Sequence, residues 1–170
     1  MGQGYRCVIT SRNEDGKSIV FRDERVGVGT LGIVDFWRTA VVPSTLNEDG
    51  TPPVPARLEP PTGGTVFRFF EIPPQDPSLS KEEAEQRAAR EFADAGAGHC
   101  RVDTSRNPMM HTTRTIDYVV VLSGRVTLLL DEGELELNPF DVVVQRGTNH
   151  YWLNYAEKPA LLMGVLLDAE

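Results

Sequence analysis

Cysteine is nearly absent from this chain of 170 residues: Cys7 and Cys100 are its only two. Two thiols are too few for a disulfide framework, so both are expected to be free, in a cytoplasmic protein. No apolar run approaches the roughly 20 residues that cross a bilayer as a helix. Positive charge is also short. Seventeen Lys and Arg against 25 Asp and Glu leave a net charge of −8, which argues against nucleic acid or an anionic membrane as partner. The opening MGQGYRCVIT lacks a basic segment followed by an apolar one, and Arg6 stands where a myristoylation signal needs Ser or Thr. Neither a signal peptide nor that lipid is expected. What remains is an ordinary globular composition, 40% hydrophobic and 25% charged, long enough for one domain with a sizeable core.

Residues 1–75 read as short strands followed by a proline-rich loop. Tyr5 to Thr10, Ile19 to Phe21 and Ile33 to Ala40 are rich in β-branched and aromatic residues, separated by Asn13 to Gly16 and by Gly27, Gly29 and Gly32. Pro43, Pro52, Pro53, Pro55, Pro60 and Pro61 rule out regular pairing over 43–63. Thr65 to Ile72 resumes a strand. One helix is predicted over 80–97: Ser80 and Glu83 make a capping box, Ala84, Ala88, Phe92 and Ala95 share a face, and Gly96 or Gly98 ends it. Its apolar stripe is thin, so it belongs on the outside of the fold. His99 reads as a C-terminal cap and Cys100 as structural.

From Met109 the pattern is all-β. Ile116 to Leu122, Val126 to Leu130, Glu134 to Leu137, Val142 to Val144, His150 to Leu153 and Leu161 to Leu167 are short strands, with turn signals at Ser123-Gly124 and Asp131-Glu132-Gly133. Leu128 to Leu130 and Val142 to Val144 are apolar at consecutive positions, as in strands buried on both faces. Gly27-Val28-Gly29-Thr30-Leu31-Gly32 matches a dinucleotide fingerprint, but the residues after it look like a strand where that reading needs a helix. No nucleotide cofactor is expected.

Histidine is scarce as well, with three in the chain. Two of them, His111 and His150, flank this run of strands, and folding the strands back would bring them together. The block resembles the cupin superfamily. His111, Asp117 and Gly124 fall at the first histidine, the glutamate and the glycine of that family's first motif, with Thr113 in place of its second histidine. Gly147, His150 and Asn154 match the end of the second motif, and Asp141 its opening, where Phe140 replaces the usual glycine. The resemblance covers 109–168 and implies an all-β cupin barrel, a double-stranded β-helix or jelly roll. Extra N-terminal strands and one surface helix complete a single domain over 1–170. It also implies a homodimer and the large uncharacterised single-barrel subgroup of cupins, with no defined substrate.

The family's histidines and glutamate reduce here to His111, Asp117 and His150, a set that suits a divalent metal such as Fe, Zn, Mn or Ni. Without a metal, His111 or His150 is the candidate base and Asp117 orients it. Arg114, Tyr118, Gln145, Trp152 and Asn154 are candidate substrate-binding residues, with Tyr118 and Trp152 as pocket walls. Arg146 could hold a substrate carboxylate, although a surface salt bridge suits both arginines better. Trp37, Arg38 and Arg68 would add an aromatic wall and a cation if their strands cap the barrel mouth. The expected function is a metal-dependent enzyme on a small organic substrate with a carbonyl or carboxylate, of lyase, decarboxylase, dehydratase or isomerase type. The alternatives are an Fe(II) dioxygenase and a non-catalytic small-molecule binder.

Overall fold

The computed structural model describes residues 4–170; the Met-Gly start, on which the lipidation expectation rests, lies outside them. β1 (Tyr5–Arg12) and β2 (Ser18–Val26) form a hairpin that stands apart as its own sheet. A five-stranded sheet runs in the order β3 (Ile33–Thr39), β4 (Thr65–Ile72), β10 (Ala160–Asp168), β5 (Thr115–Ser123), β8 (Val142–Arg146). A three-stranded sheet runs β7 (Glu134–Leu137), β6 (Val126–Leu130), β9 (His150–Leu153). Every pairing is antiparallel.

The two larger sheets share one core. Ile72, Val119, Val121 and Leu162 from the five-stranded sheet pack with Val126, Leu128, Leu137 and Trp152 from the other. Period-two alternation decides which residues enter it. On β5, Thr115, Asp117, Val119 and Val121 point inward while Ile116 and Tyr118 point out. On β6, Leu128 and Leu129 are buried on opposite faces, Leu128 in this core and Leu129 in a smaller cluster with Met110 and Leu153. Val142 to Val144 correct the expectation of a doubly buried strand. β8 is the sheet edge, so Val142 and Val144 are exposed and only Val143 packs on the core.

Helix α1 (Lys81–Asp94) begins at a reciprocal capping box: the Glu83 amide donates to Ser80 Oγ and the Ser80 amide to the Glu83 carboxylate. Gly96, with φ 67°, ends it. Its apolar stripe is narrow, yet Ala88 and Phe92 are buried, and Phe92 joins Ile33, Leu58, Ala97 and Cys100 in a second cluster. The segment resembling a dinucleotide fingerprint leads through a short turn at Thr30–Gly32 into strand β3, and no helix follows it. Leu31 takes a left-handed conformation there, φ 57°. Phe140 also has a positive φ, 75°. It stands where the family motif has glycine, so the backbone keeps the turn although the residue that suits it is missing.

Candidate functional site

His111 and His150 meet because their backbones pair. The His111 amide donates to the His150 carbonyl and the His150 amide to the His111 carbonyl, each at 3.0 Å. This bridge lies just before β5 and at the start of β9, so it ties together the ends of the two sheets. The imidazole centroids are 4.5 Å apart and the rings tilt by 46°. Phe92 of α1 packs on His111 at 5.0 Å, and Trp152 meets His150 edge-on at 5.9 Å.

Hydrogen bonds fix the tautomers. His111 Nδ1 lies 3.0 Å from the Met109 carbonyl and His150 Nδ1 2.9 Å from the Thr148 carbonyl. A carbonyl oxygen can only accept, so each Nδ1 carries the proton and each Nε2 keeps its lone pair. Burial pushes both histidines below their ordinary range; His150 falls to about 3, with its neighbour His111 adding to the effect. Both are neutral at physiological pH. Asp117 moves the other way. Desolvation raises its carboxyl to about 6, against a smaller opposing pull from Thr115 and Arg68. Its Oδ1 is buried without a hydrogen-bond partner.

These groups open on one small inner cavity of about 70 Å³. His111, Thr113, Asp117, His150 and Tyr151 supply its polar atoms; the rest of the lining is apolar, including Phe70, Phe92, Met109 and Trp152. An outer cleft of about 550 Å³ adjoins it and shares Leu31, Ile72, Met109 and Tyr151 with it. The cleft is lined by Glu71, Asp76, Arg87 and Glu91 among others, and Arg87 is paired with Glu91 at 2.7 Å. The inner cavity holds little more than two waters at about 30 Å³ each. A larger ligand must therefore lie in the cleft and reach inward past Leu31, Met109 and Tyr151.

The structure assigns several expected site residues elsewhere. Tyr118 is 49% exposed on the outer face of β5, and Arg114 and Arg146 are exposed; none lines the cavity. Gln145 is buried, but its amide donates to the Thr148 carbonyl and hydroxyl. Asn154 is fully buried and bound to the Ile72 and Lys158 carbonyls and the Ala156 amide, so it braces the turn after β9. Trp152 does face the cavity. Arg68 is no cation at the mouth: it has no exposed surface and is clamped by Asp35 and by the carbonyls of Arg57 and Leu58. Trp37 and Arg38 are likewise absent from the lining of both cavities.

The metal expectation at His111, Asp117 and His150 can be set against the distances between ligand atoms. Donor atoms on one ion with bonds of about 2.0–2.2 Å cannot lie more than about 4.4 Å apart. Among the described residues, the one group of three whose ligand atoms all fall within 4.8 Å is Glu59, His99 and Cys100. The cavity triad does not close to that span. His99, taken as a helix cap, instead lies 2.8 Å from Glu59. Sequence spacing could not link Glu59, in the proline-rich loop, to residues 99 and 100. Nor did any local signal mark Leu31, Phe92 or Met109 as cavity walls.

No protein-family model matches the chain. "Phomopsin biosynthesis cluster protein C'" of Diaporthe leptostromiformis is 57% identical over 47 residues, 27% of this chain and 25% of that protein. "Cupin-domain-containing oxidoreductase srdD" of Neurospora crassa is 40% identical over 65 residues, 36% of this chain and 33% of the relative. The matches thus span a quarter to a third of these relatives' lengths. A cupin 2 conserved barrel domain protein from Salinispora arenicola is 13% identical in a superposition covering 85% of this chain and 82% of that one, with a TM-score of 0.45.

Proposed function

We propose the following chemistry for this protein, part of which is similar to proteins named cupin-domain-containing oxidoreductases: it binds a small, neutral, largely apolar carbonyl compound and moves a proton on it. One observation carries the reading. Within a single apolar cavity, a carboxyl is raised to about 6 while two histidines are held neutral. Titratable groups pushed in opposite directions in one site divide into an acid and a base. A carboxyl near 6 is close to the pH at which transfer in both directions is efficient.

The substrate's carbonyl end occupies the inner cavity and its remainder lies in the cleft. Among the residues that line the inner cavity there is no Lys or Arg, so a carboxylate there would lack a counter-charge. The carbonyl half of the expected substrate class is favoured for that reason. Asp117 in its protonated form delivers a proton to the substrate, and the free Nε2 of His111 or His150 takes one from it. The product is an isomer, or an alkene if a leaving group departs. The relatives' names support a small organic molecule, since three of them are named as biosynthesis cluster proteins.

A second reading takes the oxidoreductase named in the relatives. It needs a redox group that the cavity triad, as arranged, does not fit. The experiment that separates the two incubates the protein with neutral carbonyl compounds in deuterium oxide. Solvent deuterium should enter the carbon next to the carbonyl, and Asp117→Asn should slow this by about 10²–10⁴-fold. Exchange that is untouched by the substitution sinks the reading, and substrate-dependent oxygen consumption by metal-loaded protein replaces it with the oxidoreductase.

The same proposal includes a homodimer through the hairpin, where Val8, Ile19, Val20 and Phe21 are exposed and β1 and β2 leave sheet edges open. Sedimentation should give a dimer mass, and Phe21→Glu should return it to a monomer.

A further inference from the structure

We propose that Glu59, His99 and Cys100 form a zinc site on the outside of the barrel, independent of the cavity and of the chemistry assigned to it. The three donors come from two segments. Glu59 belongs to the long loop between β3 and β4, and His99 and Cys100 to the short turn after α1. Their ligand atoms lie within 4.8 Å of one another.

Two of the three edges are close to what a tetrahedral ion requires. Bonds of about 2.3 Å to sulfur and about 2.0–2.1 Å to nitrogen and oxygen put sulfur and nitrogen about 3.6 Å apart and nitrogen and oxygen about 3.3 Å apart. Cys100 Sγ lies 3.6 Å from His99 Nε2, and His99 Nε2 lies 2.8 Å from Glu59 Oε2. The first edge already has the right length, and the second needs to open by about 0.5 Å. Thiolate, imidazole and carboxylate together favour zinc over magnesium or calcium, which take oxygen alone.

Access fits too. Cys100 is buried, while the His99 side chain is 65% exposed, so an ion can enter from solvent and keep a water as its fourth ligand. A reactive-thiol reading fails on the same atoms. One nitrogen, Nε2, faces both the thiol and the carboxylate, so the imidazole cannot relay a proton between them. Burial and Glu59 raise the thiol to about 12, and a bound cation would remove that proton outright. The ion would fasten the loop to the end of the helix, next to the bond from the Leu58 amide to the Ala95 carbonyl.

The test uses the whole chain, freed of metal by a chelator and titrated with Zn²⁺ alone against a chromophoric competitor, and then with Co²⁺. One equivalent should bind, and cobalt should show a thiolate charge-transfer band. Cys100→Ser should abolish that band, and His99→Ala should weaken zinc at least about 10-fold, in line with the loss of a ligand. His99 is exposed, so its substitution leaves the fold intact if Cys100→Ser does not. Asp117→Asn should leave both readouts unchanged. No stoichiometric binding, a cobalt spectrum without the thiolate band, or zinc affinity indifferent to His99→Ala would each overturn the site. So would loss of binding in Asp117→Asn.

Discussion

The five-stranded sheet buries two aspartates and partners them differently. Asp35 of β3 stands directly across from Arg68 of β4 in the sheet register. The guanidinium grips it through two bonds, Nε to Oδ1 at 2.7 Å and Nη2 to Oδ2 at 3.1 Å. Arg68 spends its remaining donors on the Leu58 and Arg57 carbonyls. Asp117 of β5 faces Gln145 and Leu166 in the register, and its Oδ1 has no partner. Burial raises both carboxyls, but at Asp35 the rise is opposed by a fork that matches it. The other is left near an apolar cavity with its proton affinity raised. A saturated charge is architecture; an unsaturated one is available for chemistry.

The largest effect should come from breaking the saturated pair. Arg68→Met leaves Asp35 buried without its counter-charge and should cost about 3–5 kcal/mol, read as a lower midpoint in urea unfolding. A loss under 1 kcal/mol would mean that Asp35 finds another partner and that the contrast is weaker than the geometry indicates.

Asp117 should behave in the reverse sense. Its carboxyl is raised in the folded state from 3.8 to about 6, so folding favours the protonated form. The stabilisation is complete below about pH 4 and is lost as pH rises through about 6, by roughly 3 kcal/mol. His150, lowered from 6.5 to about 3, contributes stability above its unfolded value that is lost as pH falls towards 3. The two slopes oppose each other between about pH 4 and 6. Asp117→Asn removes one of them: the variant should be more stable than the native chain at pH 7, and its stability should climb with pH across that window. A variant that is less stable at pH 7 would show that Asp117 is paired after all.

Phe140 and Tyr118 touch neither carboxylate and set the scale. Phe140 is 79% exposed at φ 75°, a conformation that costs an L-residue about 1–2 kcal/mol. Phe140→Gly should raise stability by about 1 kcal/mol, measured in the same unfolding experiment; no gain would mean that the turn carries no strain. Tyr118→Ala, next to Asp117 in sequence but on the other face of β5, should change stability by no more than about 0.5 kcal/mol. Any marked effect of Tyr118→Ala on the Asp117 pH profile would mean that the face assignment is wrong.

The legible and illegible parts of this molecule divide along range. β4 and β6 have the bounds the sequence predicts, and the Ser80–Glu83 box starts α1, because alternation and capping act within a few residues. The meeting of His111 and His150 was legible because a cupin-like spacing dictates how the strands fold back. Which of Asp117 and Tyr118 enters the cavity was not, since alternation separates them without saying which face is inside. Arg68 looked like a ligand cation because its four acceptors come from β3 and the loop at 57–58, distant in sequence.

By itself, then, the sequence determined the positions of the C-terminal strands, the helix and its cap, and the approach of two histidines, all consequences of local periodicity and motif spacing. Only the tertiary structure decided that Asp117 Oδ1 is left without a partner, that Arg68 is silenced by Asp35, and that Glu59 reaches His99 and Cys100. Each of those turns on distances of an ångström or two between segments far apart in the chain. Side-chain length and packing set such distances, and no local pattern encodes them.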